Sequence, residues 1–245
     1  MLRSRSAACT LLAPILFIVL LSTLGCGGHS EGPVVRKFFV ASRMGDATTL
    51  ANVAMTSFDP RTEGVVESLS IASETPEQVV PLELKSLTAA LQAAQKEEQE
   101  FTSKWETYQQ LNGDAIKRVR AADKKGVKLK GKDGVVQEEL AQWAADSERL
   151  TRKVSDVRTA VSRERPLVEL SMRNPLKPID PTEYEGVLAT KEMNISANVR
   201  TPDGQLIKKN LVITLQQARM KGPRGDIAGH WIITKIAEAQ AGARP

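Results

Sequence analysis

Aromatic residues are scarce in this chain: they make up 4% of its 245 residues. This scarcity argues against a large aromatic core and against a platform on which nucleic-acid bases stack. Cysteine and histidine are scarcer still, with only Cys9, Cys26, His29 and His230. Neither a disulfide framework nor a cysteine-based or histidine-rich metal site can be built from this set. We therefore expect no metal and no other cofactor.

A dense basic surface is also missing. The formal net charge is +5 at pH 7, and Arg3 and Arg5 at the extreme N-terminus contribute two of those charges, so the remainder carries +3. The sequence contains no fingerprint of a nucleic-acid-binding fold, and we expect no nucleic-acid partner. Hydrophobic residues at 41% and charged residues at 26% are ordinary for a folded protein.

The N-terminal residues have the pattern of an export signal. Arg3 and Arg5 precede a mostly apolar run at residues 11–24, which is too short for a comfortable membrane span. The run ends in Thr23-Leu24-Gly25-Cys26 and resembles the lipobox of bacterial lipoproteins, in which a small residue precedes an obligatory cysteine. The sequence departs from the commonest pattern at Thr23, where leucine is usual, and at Leu24, where a small residue is usual.

This resemblance implies that residues 1–25 are a signal peptide cleaved between Gly25 and Cys26, and that Cys26 carries a diacylglyceryl group with palmitate-type acyl chains. The lipid would anchor the chain stably in the cell envelope, and residues 26–32 would be a flexible tether. Gly27, in place of aspartate, implies sorting to the outer membrane, facing the periplasm, in a diderm bacterium. An ordinary secretory peptide with an incidental cysteine is the alternative.

The pattern after the tether predicts the first part of an α+β domain at residues 33–75. Gly45 ends a first helix and Asp46 is placed to cap a second one. Residues 65–72 have the composition of a strand. The first helix begins at Pro33, and its apolar face is formed by Val34, Val35, Phe38 and Phe39.

Residues 184–237 predict the rest of the sheet. Apolar and polar residues alternate at 193–199 and again at 211–216, and residues 229–236 close the set. Pro202-Asp203-Gly204 forms the first turn, and residues 222–225 form a longer one. The result is an antiparallel meander with one buried face, followed by a disordered tail at residues 238–245.

This order of elements, which ends in Gly-His-Trp-Ile-Ile, is similar to the cone-shaped α+β fold of nuclear transport factor 2-like proteins over residues 33–72 and 184–237. The resemblance implies a cone that in some members holds an enzymatic site. Those motifs do not transfer to this chain, because His230 has no acidic partner placed by spacing. Trp231 is expected in the core or at the rim, and Tyr184 in a loop. We therefore expect no catalytic residue and no enzyme.

Residues 76–166 have the clearest periodicity of the chain. Apolar positions follow alternating steps of three and four residues from Leu84 to Ala122 and from Val136 to Val161, with three glycines between the two runs. This pattern predicts an antiparallel coiled-coil hairpin that is ended by Pro166 and followed by a Pro-rich connector at residues 167–183. The predicted hairpin core consists of Phe101, Trp105, Tyr108, Val119, Trp143, Leu150, Val154 and Val157.

Two registers of this hairpin fit the spacing. One places Val119 beside Trp143, and the other places Asn112 beside Trp143. The first is favoured, because the second would bury the Glu98 carboxylate against Val157. The first helix would be about 55 to 60 Å long. Its first turns would pack on the globular domain and not on the sister helix, through Leu84, Leu87 and Leu91.

The tip of the predicted hairpin carries five lysines: Lys124, Lys125, Lys128, Lys130 and Lys132. A solvated loop is the simpler interpretation, and contact with an anionic surface or acidic partner is the alternative. The sequence thus favours a membrane-anchored, non-enzymatic lipoprotein that binds or scaffolds a protein partner, or self-associates, through its hairpin. The competing hypothesis is a small-ligand binder or enzyme that uses the cone pocket.

Overall fold

The computed structural model describes residues 31–222 and 225–239. The predicted signal peptide, its cleavage site at Gly25 and Cys26, nearly all of the tether and most of the predicted tail lie outside the described residues. The described part is a mixed α+β fold whose curled antiparallel sheet forms half of a barrel. In this part of the chain, no helix combines the length and the apolarity that crossing a membrane requires.

Two short helices open the fold, and local capping fixes their ends. Helix α1 spans Gly32–Met44, and Gly45 ends it with φ 68°, a left-handed conformation that glycine adopts without strain. Helix α2 spans Ala47–Val53. The side chain of its N-cap, Asp46, accepts a hydrogen bond from the backbone N–H of Thr49 at 3.0 Å. The predicted break between the two helices is therefore confirmed.

The sheet is built around one long β-hairpin. Strands β3 and β4 pair along their whole length, β1 and β2 pair with the other edge of β3, and β5 and β6 pair with β4. All of these pairings are antiparallel. Among the described residues the six strands are β1 Val65–Glu74, β2 Gln78–Leu82, β3 Gly186–Arg200, β4 Leu206–Gly222, β5 Gly225–Ala228 and β6 Ile232–Glu238.

The sequence does not predict β2 or β5. Residues 78–82, assigned to the helical insertion, form β2, and Gly222 and Gly225, the ends of the expected long turn, pair with each other in strands β4 and β5. β2 is exposed along most of its length, so it has no alternation of apolar and polar residues. Pro81 also argues against a strand, yet proline is tolerated at a sheet edge because its missing N–H faces away from the ladder.

The main apolar core lies between α1, α2 and one face of the sheet. Phe38, Ile213 and Ile233 are each 0% exposed in this core. The ring of Phe39 lies edge-on to the rings of Phe38, at 5.2 Å, and of Phe58, at 5.4 Å. Each such burial contributes about 1.5 to 3 kcal/mol to the free energy of folding. Apolar side chains therefore occupy the interface between α1 and the sheet.

Two long helices form the hairpin: α3 spans Leu84–Asp123 and α4 spans Gly131–Met172. The prediction that Pro166 ends the returning helix is wrong, because α4 continues to Met172. A proline inside a helix costs about 3 kcal/mol. Burial of three apolar residues, each at most 7% exposed, offsets that cost: Val168, Leu170 and Met172. The connector into β3 is correspondingly shorter than predicted.

Helix α3 bends near its middle. Asn112 has φ −117° and ψ 16°, outside the helical range, and its side-chain amide donates a hydrogen bond to the carbonyl of Tyr108 at 3.2 Å. Phe101 and Arg120 lie on either side of this residue and line one cavity of about 340 Å³. A straight helix would separate them by about 28 Å along its axis. The bend therefore replaces the single long rod expected from the sequence.

The second predicted register matches the structure only near the tip of the hairpin, and the first does not match it. The ring of Trp143 lies 5.3 Å from the ring of Trp105, while Val119 packs with Val136. Both predicted partners of Trp143, Val119 and Asn112, are therefore wrong. Trp105 lies one heptad before Asn112, so beside Trp143 the helices are shifted by seven residues from the second alternative, whereas the contact of Val119 with Val136 is the one that this alternative implies. Heptad spacing alone does not distinguish two registers that differ by one repeat.

The root of the hairpin packs on both the sister helix and the sheet. Leu84 is 1% exposed and lies in an apolar cluster with Val161 and Val168 of α4. Ala218 and Met220 of β4 belong to the same cluster. The prediction that the first turns of α3 pack on the sheet is confirmed, but the prediction that they avoid the sister helix is wrong for Leu84, Leu87 and Leu91.

Ser171 joins the end of α4 to the sheet. This residue is 0% exposed, and its hydroxyl accepts a hydrogen bond from the N–H of Ala218 at 2.9 Å and donates one to the carbonyl of His230 at 2.8 Å. Gly229 permits this close approach, because a Cβ there would lie 2.5 Å from the hydroxyl oxygen of Ser171. The hairpin is thus fixed to the sheet by polar as well as apolar contacts.

Candidate binding site on the helical hairpin

An aromatic cluster occupies the middle of the hairpin. The ring of Trp143 on α4 lies 4.9 Å from Phe101, 5.3 Å from Trp105 and 5.6 Å from Tyr108 on α3. Trp105 and Tyr108 stack with their centroids 5.8 Å apart. These four rings belong to a chain with only ten aromatic residues. All four are half-buried, so the cluster holds the helices together and also presents aromatic surface to solvent.

The spacing along α3 produces this cluster. Phe101, Trp105 and Tyr108 are separated by four and three residues, so they lie on one face of the helix. Trp143 enters that face from α4 and contacts all three rings.

A cavity of about 500 Å³ lies beside Trp143. Its apolar walls are Phe101, Tyr108, Trp143 and Leu150. Charged and polar residues line the remainder: Glu97, Glu100, Lys104, Glu139, Gln142, Asp146 and Arg149. The volume lies within the range of about 300 to 1,000 Å³ that is typical of small-molecule sites. We call this space the aromatic cavity.

Tyr108 and Glu139 form the central polar contact of the aromatic cavity. The phenol of Tyr108 donates a hydrogen bond to Oε2 of Glu139 at 2.6 Å. Burial, and after it this hydrogen bond, raises the pKa of Tyr108 to about 12. The phenol is therefore neutral at pH 7 and orients the carboxylate of Glu139 beside the ring of Trp143.

Two further carboxylates of the lining, Glu97 and Asp146, have cationic or amide partners. Glu97 accepts hydrogen bonds from Lys153 at 2.6 Å and from Arg149 at 3.5 Å, and the contact with Lys153 lowers the pKa of Glu97. Asp146 accepts from Gln142 at 2.9 Å, which lowers the pKa of Asp146. These contacts fix one rim of the cavity and keep both groups ionised at pH 7.

The structure divides the eight residues predicted as hairpin core into two sets. Val119, Leu150 and Val154 are at most 4% exposed and form true core positions. Half-buried positions make up the second set: Phe101, Trp105, Tyr108, Trp143 and Val157. The polar lining of the cavity is not predicted from the sequence. Glu97, Glu139 and Arg149 each lie one position from a seam residue, where charged side chains commonly pair between helices, and that rule could have found them.

The five lysines predicted at the tip are all exposed: Lys124, Lys125, Lys128, Lys130 and Lys132. Within the described residues none of them forms an ion pair, whereas nearby Arg118 is held by two hydrogen bonds to Asp133 at 2.7 and 2.8 Å. The tip therefore keeps free positive charge, and the aromatic cavity further along the hairpin is rimmed mainly by carboxylates.

The residues considered for catalysis lie elsewhere. Nε2 of His230 is 3.0 Å from the backbone carbonyl of Asn52. Trp231 packs at the edge of the main core, with Nζ of Lys191 5.3 Å from its ring centroid, and Tyr184 packs at the hairpin root. The described residues include no group of three or more His, Cys, Asp or Glu side chains that could hold a metal ion.

Comparison of the chain with known protein families, with curated proteins and with solved structures finds no match.

Proposed function

We propose that the protein is a non-enzymatic lipoprotein of the cell envelope that is anchored through Cys26 and acts as a binding or scaffolding module through its helical hairpin. In this proposal residues 1–25 are the signal peptide and the lipid sits in the outer membrane, facing the periplasm. The sheet with α1 and α2 is a domain of the nuclear transport factor 2-like kind, into which the hairpin of α3 and α4 is inserted.

One observation carries the proposal: the hairpin holds half-buried aromatic rings around an open cavity of about 500 Å³. The interface between α1 and the sheet is instead occupied by side chains such as Phe38 and Ile213, both 0% exposed. Half-buried aromatic surface of this kind is typical of residues that dominate binding energy at interfaces. The hairpin is therefore favoured over an internal pocket as the binding element.

Anchoring is tested by metabolic labelling with palmitate, followed by membrane fractionation. The native chain is expected to carry label and to sediment with outer membranes. Cys26→Ser should lose both properties, whereas Cys9→Ser, in the part that cleavage would remove, should retain them. Equal labelling of the native chain and the Cys26→Ser variant would contradict a lipid anchor at this position.

The binding role of the hairpin is tested by site-specific photo-cross-linking in intact cells. A photoreactive residue at Leu111, which is 79% exposed on α3, should give discrete adducts. The matched position is Leu206, which is 57% exposed on β4 and should give none. Phe101→Ala with Trp143→Ala should abolish the adducts of Leu111 while circular dichroism retains the helical signal. Adducts of equal yield from both positions would remove the hairpin as the specific contact.

The proposal includes a second contact, between the tip of the hairpin and an anionic surface. Five exposed lysines without ion pairs in the described residues supply this charge, at about 1 kcal/mol per cation near an anionic membrane. In the Cys26→Ser background, glutamine at all five positions should reduce salt-sensitive sedimentation with phosphatidylglycerol vesicles. The control replaces five exposed lysines elsewhere by glutamine: Lys85, Lys177, Lys208, Lys221 and Lys235. Equal reduction by both sets would exclude a specific role for the tip.

A further inference from the structure

We propose that the aromatic cavity binds an organic cation, either an alkylammonium or a guanidinium group, against the rings of Phe101, Tyr108 and Trp143 with Glu139 as its counter-ion. This proposal rests on the proposed function, because it assigns a ligand class to the same hairpin. The ligand class follows from the walls, the charge and the size of the cavity.

The walls favour a cation because three aromatic rings meet at one point. Trp143 lies 4.9 Å from Phe101 and 5.6 Å from Tyr108, so the three rings pack against one another and together form the aromatic wall of the cavity. A cation within about 6 Å of several ring centroids is attracted by the negative faces of the rings, and tryptophan gives the strongest attraction. Recognition of quaternary ammonium groups by proteins commonly uses such aromatic side chains.

The charge of the lining points the same way. Four carboxylates line the cavity, whereas two cationic side chains, Lys104 and Arg149, do so. Arg149 is already engaged by Glu97 and Asp146. Glu139 has a different environment: in the described structure its hydrogen-bond partner is the neutral phenol of Tyr108, and no ion pair joins it to a lysine or arginine. Its negative charge is therefore held beside the aromatic rings without a cation to neutralise it.

The size of the cavity sets the kind of cation. A volume of about 500 Å³ is far larger than a hydrated metal ion needs, and aromatic walls do not supply metal ligands. It accommodates a tetraalkylammonium group or the end of a lysine or arginine side chain. The same chemistry is offered by a free amine and by a basic peptide, of which the lysine-rich tip of a second copy, residues 123–134, is the example within this chain.

The test is a titration of tryptophan fluorescence in the full-length protein, since two of the three tryptophans line or adjoin the cavity. The probes are choline, its neutral isostere 3,3-dimethyl-1-butanol, and a peptide with the sequence of residues 123–134. Choline or the peptide should give a saturable change, and the isostere should bind about tenfold more weakly or not at all. Saturation by choline identifies a free amine as sufficient, and saturation by the peptide alone identifies a basic chain.

Variants locate the site. Glu139→Gln should weaken binding of the cation about tenfold. Trp143→Phe should weaken it less, because phenylalanine keeps an aromatic ring at this position. The matched control is Glu138→Gln, which removes the same charge from an adjacent exposed position of α4. Equal binding of choline and the neutral isostere, equal effects of the two glutamine variants, or no saturable change with any probe would each overturn the proposal. If the cation proposal fails in this way but the hairpin still binds another ligand, the cross-linking experiment should still give adducts at Leu111.

Discussion

The ring of Trp143 on α4 lies 5.3 Å from the ring of Trp105 on α3, and this contact sets the register of the hairpin. Eight residues before Trp105, Glu97 accepts a hydrogen bond at 2.6 Å from Lys153, ten residues beyond Trp143. The two contacts follow one antiparallel alignment of the helices. This alignment brings the carboxylates of both helices to the aromatic cavity, so the register is also what creates the candidate site.

The register predicts a pattern of chemical cross-links. Glu97→Cys with Lys153→Cys should be joined by a short bis-maleimide, because the native side chains touch. The control pair is Glu97→Cys with Arg165→Cys, which would face each other in the register that places Val119 beside Trp143. In the observed register Arg165 lies about 18 Å further along α4. Peptide mapping separates these links from native thiols, and preferential linkage of the control pair would contradict the observed alignment.

Local signals in the sequence predict the local structure well. Asp46 caps α2 because its side chain reaches the N–H of Thr49, a contact that depends on residues three apart. The alternation of apolar and polar residues in β3 and β4 likewise follows from strand geometry, in which successive side chains point to opposite faces of the sheet. Met193 and Ile213 accordingly pair on the buried face. Such features are readable from sequence because the residues that determine them are close in the chain or repeat with the period of the strand.

The register of α3 against α4 is a different kind of property. The heptad pattern is unchanged by a shift of seven residues, so the choice among registers depended on the cost of burying Glu98. In the structure Glu98 is only half-buried, and its carboxylate does not bear that cost. The aromatic cavity is likewise not predicted, because the heptad spacing is the same whether the side chains between the two helices pack tightly or leave a cavity.

Ser171 should contribute measurably to stability. Ser171→Ala leaves the buried N–H of Ala218 and the carbonyl of His230 without the hydroxyl that joins them, so the free energy of unfolding should fall by about 1 to 3 kcal/mol. The measurement is urea denaturation followed by circular dichroism. The control is Ser162→Ala, an exposed position of α4 whose hydroxyl bonds only within its helix, where a change within about 0.5 kcal/mol is expected. A similar loss in both variants would argue against this link between hairpin and sheet.

The ion pair between Glu77 and Arg219 should make stability depend on acid pH. Two hydrogen bonds, at 2.6 and 2.8 Å, join the carboxylate to the guanidinium and lower the pKa of Glu77 below its ordinary value of 4.5. The contribution to stability is therefore fully present above about pH 5 and is lost as the pH falls through the lowered pKa. Its size is on the order of 1 kcal/mol, because the side chains are 26% and 33% exposed and solvent screens the pair.

Urea denaturation between pH 6 and pH 3 measures this contribution. Glu77→Gln should reduce the loss of stability on acidification by that amount, and Arg219→Gln should do the same because it removes the cause of the lowered pKa. The double variant should behave like either single one, since the two residues act as one unit. Additive effects of the two substitutions would show that the residues act independently.

Tyr108 should titrate at about pH 12, well above its ordinary pKa of 10.0. Burial is the largest cause, and the hydrogen bond to Glu139 is the next, so Glu139→Gln should lower the midpoint without returning it to 10. Because the folded-state pKa is raised, the neutral phenol stabilises the hairpin fully below about pH 10, and this stability is lost as the pH rises towards 12. Phenolate absorbance follows the titration, and Tyr108→Phe assigns the signal. Glu138→Gln serves as the control and should leave the midpoint unchanged. If Glu139→Gln also leaves it unchanged, Glu139 is not bonded to Tyr108, and its role as counter-ion in the aromatic cavity is contradicted.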